Sequence, residues 1–109
     1  MKRLFAVTLL SFATLTAMAN PGDIVLTIEN HTFSPKEVKI PANKKVRLMV
    51  VNKDATPAEF ESKPLSREKL IPGKASAVIL LGPLRPGRYA FVEEYHETQP
   101  GAQGTIIVE

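Results

Sequence analysis

Short apolar runs of period two, each cut off by proline or glycine, restrict this chain to a small all-β fold. Ile24, Leu26 and Ile28 alternate along one segment, and Val46, Leu48 and Val50 alternate with Lys45, Arg47 and Met49 along another. Residues two apart on a strand share a face, so each run presents one apolar side to a core. Turn signals at Pro41-Ala42-Asn43-Lys44, Pro72-Gly73, Gly82-Pro83 and Pro86-Gly87 recur at the spacing of a sandwich or barrel. The nine prolines and six glycines lie nearly all between apolar runs, which excludes long helices. The expected fold is a Greek-key β-sandwich of seven or eight strands. Residues 75–81, apolar almost throughout, predict a strand covered on both faces. Ser62 to Lys69 is polar enough to predict a segment outside the sheet, shaped as one helical turn, and residues 88–93 and 104–109 supply the last two strands.

The first nineteen residues have the layout of an export signal: Lys2 and Arg3, an apolar run from Leu4 to about Leu15, then Ala17-Met18-Ala19 as a small-x-small cleavage site. The expected division is a signal peptide over 1–19 and one domain over 20–109, with the periplasm as destination and no transmembrane segment in the mature chain. Without Lys2 and Arg3 the formal charge of +3 falls to +1, with Lys and Arg spread singly, so the basic stripe needed for nucleic acid is absent. No cysteine occurs anywhere. That excludes disulfide staples, a thiolate nucleophile, a cysteine-type zinc site and a blue-copper centre, which depends on a copper–thiolate bond. Ser62, Ser66 and Ser76 have no histidine close by in sequence and no nucleophile motif, so no hydrolase signature is present.

Pro86-Gly87-Arg88-Tyr89-Ala90-Phe91-Val92-Glu93, followed by His96 and by Gly104-Thr105-Ile106-Ile107-Val108, resembles the metal loop of a cupredoxin with its sulfur removed. The likeness extends over Phe33-x-Pro35, Val38-x-Ile40-Pro41, Asn52-x-Asp54, Phe60 and Ile71-Pro72-Gly73. In that alignment the family's first copper histidine falls at Ala58, its cysteine at Glu93 and its axial methionine near Ala102; only His96 keeps a ligand identity. Glu59-Phe60-Glu61, then Arg67-Glu68 and Pro72-Gly73, is similar to the cupredoxin-like domain of the EfeO/FtrB type, periplasmic accessories of bacterial iron uptake. The resemblance implies metal ligands at Glu59, Glu61, Glu68 and Glu93. It also implies membrane partners, namely an iron permease and periplasmic or membrane redox proteins, since the helical domain that follows in EfeO is lacking.

Carboxylates and one imidazole suit Fe3+, Cu2+ or Mn2+ and suit Cu+ poorly. Several anionic oxygens favour Fe3+ over Fe2+ and would ease oxidation of bound Fe2+, so the activity expected is at most ferroxidase-like or electron transfer. Glu59 and Glu61 flank Phe60 and share a face of an extended strand; Glu93 and His96 are three apart in a loop, within reach of one ion. Whether Glu59 faces the same way as Glu93, and whether there is one site or two, is left open by spacing. The alternatives are a metal-free interaction domain that kept the fold after losing its copper site, and a periplasmic copper-sequestering protein. On plain grounds the acidic residues are a solvated sheet edge, Glu94 and Glu97 face solvent, and His31 is structural or exposed.

Overall fold

The computed structural model describes residues 18–109. The export signal expected over 1–19 therefore lies, but for its last two positions, outside the described residues. Among the described residues there are nine strands: β1 (Ile24–Glu29), β2 (Thr32–Ser34), β3 (Glu37–Ile40), β4 (Val46–Asn52), β5 (Ala58–Ser62), β6 (Arg67–Ile71), β7 (Ser76–Leu81), β8 (Gly87–Glu93) and β9 (Gln103–Val108). One sheet has the order β2-β1-β4-β7 and the other β3-β9-β8-β5-β6. Pairing is antiparallel except for β1 with β4 and β3 with β9, which are parallel. The only helical element among the described residues is a single 3-10 turn, Glu94–His96. Among them, no helix is long and apolar enough to cross a membrane.

The β-sandwich is thus the expected one, with nine strands in place of seven or eight. Period-two patterning puts Leu26, Ile28, Leu48, Val50, Phe60, Phe91 and Ile106 between the sheets, all at 1% exposure or less. Phe33 from the first sheet meets Phe91 from the second edge-on at 4.8 Å between centroids, and Phe60 stacks on Phe91 at 5.1 Å. Each such ring stabilises the fold by about 1.5–3 kcal/mol through burial, with aromatic-pair geometry adding to it.

Two local expectations need correction. Ser62 to Lys69 is not a helical turn outside the sheet: Ser62 closes β5, a four-residue turn follows, and Arg67 opens β6. An edge strand needs only one partner and tolerates charge on its open side, so β6 pairs with β5 while four of its five residues stay exposed. Nor is β7 covered on both faces: Ala77, Ile79 and Leu81 face the core, whereas Leu80 on the opposite face is 64% exposed.

The Pro86-Gly87-x-Tyr89 motif has a plain structural role: the Tyr89 hydroxyl donates to the Arg85 carbonyl at 2.8 Å, pinning the turn that feeds β8. Asn52, 1% exposed, does the same for the β4–β5 loop, donating from Nδ2 to the Thr56 carbonyl at 2.9 Å while its Oδ1 accepts the Asp54 N–H at 3.0 Å. Gly104 on β9 lies beneath the Phe91 ring, and a Cβ there would press on that ring and stand 2.8 Å from the Lys36 carbonyl oxygen. Gly104→Ala is therefore expected to lower stability by about 1–3 kcal/mol in urea unfolding. Gly87→Ala, whose Cβ would have the Tyr89 ring as its nearest neighbour, at 3.5 Å, should change it by no more than about 0.5 kcal/mol.

Candidate metal centre

Strand register decides which carboxylates meet. On the β5–β6 ribbon Glu61 is paired with Glu68 and Glu59 with Leu70, and directly paired residues project from the same face. Ala58, Phe60 and Ser62 occupy the inner face, so Glu59, Glu61 and Glu68 stand on the outer one. β8 meets β5 with Glu93 opposite Phe60 and Val92 opposite Glu61, which turns Glu93 inward. The residues singled out from sequence therefore divide: Glu59, Glu61 and Glu68 lie outside the second sheet, while Glu93 and His96 lie at the end of its inner side.

The outer group gains a member that sequence reading left to solvent. The 3-10 turn after β8 carries Glu94 over the β5–β6 ribbon, and one oxygen from each of Glu59, Glu61, Glu68 and Glu94 falls within 4.8 Å of the others. Four like charges so close repel, and the cluster answers by holding protons. Hydrogen bonding to Glu61 and then Glu59, together with burial and their charges, pushes the Glu94 carboxyl up to about 8. Glu68 is raised chiefly by its hydrogen bond to Glu59 and by the Glu59 charge. Glu59 is lowered by hydrogen bonds from Glu68 and Glu94, with the Tyr95 hydroxyl as a further donor. The Tyr95 phenol is correspondingly raised, first by that bond to Glu59. Glu94 Oε2 is shielded from solvent and no N–H or hydroxyl donor reaches it, so only a proton shared among carboxylates or a cation satisfies it.

Glu93 is wholly buried. Its Oε1 accepts the backbone N–H groups of Glu59 and Tyr95, each at 3.0 Å, and its Oε2 is hydrogen-bonded to Nδ1 of His96. It thereby caps the 3-10 turn that places Glu94 and ties that turn to the start of β5. A type 1 copper site does not fit here: Ala58, Glu93 and Ala102 hold the positions that the resemblance assigns to histidine, cysteine and methionine. Ala58 and Ala102 are buried and donorless, and both oxygens of the Glu93 carboxylate are already hydrogen-bonded to the protein. His31, read from sequence as structural or exposed, stacks on His96 at 3.6 Å between ring centroids, 16° from parallel.

Period two contained part of this division. Tyr89, Phe91 and Glu93 alternate on one side of β8, so the inward course of Glu93 follows from the inward course of Phe91. The contribution of Glu94 had no local signal, because it depends on how the 3-10 turn folds back over β5.

Two outcomes are expected. Glu93→Ala strands the Glu59 and Tyr95 N–H groups and should cost about 2–3 kcal/mol in chemical unfolding, whereas Glu93→Gln, which keeps a carbonyl oxygen, should cost less. For Glu94 the folded value of about 8 exceeds the ordinary 4.5, so its stabilising contribution is full below 4.5 and is lost as pH rises through about 8. The melting temperature of the metal-free protein should decline across that interval, and Glu94→Gln should flatten the decline.

The comparisons with known proteins agree with the fold. Residues 2–108 match the family model described as a cupredoxin-like domain. An uncharacterized protein of Rickettsia prowazekii (strain Madrid E) is 43% identical over 86 residues, covering 79% of this chain and 67% of that protein. A Cu(I) form of an amicyanin point mutant superposes with a TM-score of 0.66 at 17% identity, over 84% of this chain and 86% of amicyanin. The metal-binding domain of the Cu(I)-exporting P-type ATPase CopA of Streptococcus pneumoniae, solved with Cu(I), gives 0.67 at 15% identity, over 86% and 93% of the two chains. Auracyanin from Roseiflexus castenholzii gives 0.66 at 16%, over 81% and 97%. With nine strands in two sheets and a family match over nearly its whole length, this chain belongs to the cupredoxin-like domain family.

Proposed function

We propose that this is a periplasmic metal-binding protein of the EfeO/FtrB type, assisting ferrous iron uptake by holding iron in an all-oxygen site on the outer face of the second sheet. The observation that carries the reading is the convergence of Glu59, Glu61, Glu68 and Glu94 within 4.8 Å, with protons held where a cation would bind. Carboxylate oxygens are hard donors, and a set of them stabilises Fe3+ more than Fe2+. Bound Fe2+ then loses one electron more readily, and that electron passes to a periplasmic or membrane redox partner while Fe3+ passes to an iron permease. Glu59, whose carboxyl is held below its ordinary range, is the first anchor for the ion; Glu94, pushed up to about 8, gives up its proton as the ion binds. Glu93 and His96 support the site from behind by fixing the turn that bears Glu94. The periplasmic setting rests on the export pattern at the start of the chain, and partnership on the resemblance to the EfeO/FtrB type.

Calorimetric titration with Fe3+ supplied as its citrate complex tests the reading. Glu61→Gln or Glu68→Gln should weaken binding by roughly tenfold or more, and Glu37→Gln on β3 should leave it unchanged. Binding at pH ~7 should release protons, seen as a dependence of the heat on the buffer's ionisation enthalpy, and affinity should rise with pH up to about 8. Unchanged affinity in both cluster variants would leave the metal-free interaction domain as the better reading.

A further inference from the structure

We propose that Tyr95 is a ligand of the outer site, its phenolate oxygen joining the carboxylates and making the site selective for Fe3+. This role rests on the iron reading above and gives that site its preference among ions. Tyr95 follows Glu94 in the 3-10 turn Glu94–His96, so the fold that carries Glu94 over the β5–β6 ribbon carries the phenol there as well. Glu93 holds the turn at this residue, for its Oε1 accepts the Tyr95 N–H and the Glu59 N–H, each at 3.0 Å. One buried oxygen thus ties the backbone of Tyr95 to the backbone of Glu59. The side chains of the same two residues meet on the outside, where the Tyr95 hydroxyl donates to the Glu59 carboxylate.

Tyr95 is 53% exposed, so packing alone does not fix its ring; the polar contact with Glu59 directs it. That hydrogen bond comes first in holding the proton on the phenol, followed by burial and the Glu59 and Glu94 charges. With a trivalent ion seated among the carboxylates those charges are neutralised, and the phenol releases its proton to solvent as its oxygen joins the ion. The oxidation state of the iron does not change in this step. Carboxylates alone also suit Ca2+ and Mg2+, whose ligands are carboxylate, carbonyl and water oxygens. A phenolate is a more basic hard oxygen and gains most from the ion of highest charge, so it sets Fe3+ apart from Mn2+ and Fe2+ as well. The chain has two tyrosines. Tyr89 is committed elsewhere, its hydroxyl donating to the Arg85 carbonyl at 2.8 Å where β8 begins, whereas Tyr95 lies just past the end of that strand. A phenolate-to-iron signal therefore has one source.

Titration of the purified protein with Fe3+ supplied as its citrate complex, followed by visible absorption alongside calorimetry, tests this. The expected parent complex is coloured by a phenolate-to-iron charge-transfer band, which carboxylates do not give. Tyr95→Phe keeps the ring and the N–H that Glu93 accepts; it should abolish the band and weaken Fe3+ by roughly tenfold or more, while changing Mn2+ affinity far less. Tyr89→Phe should keep the band. Fe3+ bound by the parent without the band, or a band that persists in Tyr95→Phe, overturns the assignment of Tyr95 and leaves the iron reading standing. A parent that binds no Fe3+ overturns both.

Discussion

The end of the sandwich that carries every candidate ligand is organised by one buried carboxylate. Glu93 lies opposite Phe60 inside the second sheet, accepts N–H groups from β5 and from the 3-10 turn, and bonds the His96 ring; its own N–H donates to the Ala102 carbonyl at 2.8 Å. A bare ionised group in such a place would be costly, but each oxygen has a donor, so desolvation is offset by charge-assisted hydrogen bonds. The outer cluster depends on this arrangement, since Glu94 reaches β5 only because the turn is capped from beneath. His31 depends on it too, since its ring rests on a histidine that Glu93 holds still.

Much of the framework was legible in the chain. Alternation in β1, β4 and β8 set their inner faces, and the aromatic positions at 33, 60 and 91 do converge in the core. β6 was illegible because Arg67, Glu68 and Lys69 look like loop residues to any local measure; cross-strand hydrogen bonds with β5, a non-local contribution, make them a strand. The exposure of Leu80 was hidden for a different reason, because a run apolar at nearly every position carries no alternation to tell the core face from the outer one.

The site was legible in kind and less so in arrangement. Oxygen donors without sulfur could be read from composition, as could the shared face of Glu59 and Glu61. The separation of Glu93 from them lay in the alternation of β8, in plain sight. The parts played by Glu94 and His31 depend on one turn folding over a neighbouring strand and on a clamp by Asp54, whose carboxyl, though burial pushes it up, is held low by the N–H groups of His31 and Asn30. Neither relation has a counterpart in residue spacing.

The outer carboxylates come from three backbone segments, two strands and a turn, and Glu68 at the sheet margin is exposed while Glu59 and Glu61 are half-buried. A cation seated among them would be enclosed from the protein side and open on the other. An acceptor could then add its own oxygens to the ion before these let go, one carboxylate at a time from the exposed margin inward. On the proposed iron reading, handover by such associative exchange would keep the ion out of free water, where ferric iron hydrolyses to an insoluble hydroxide.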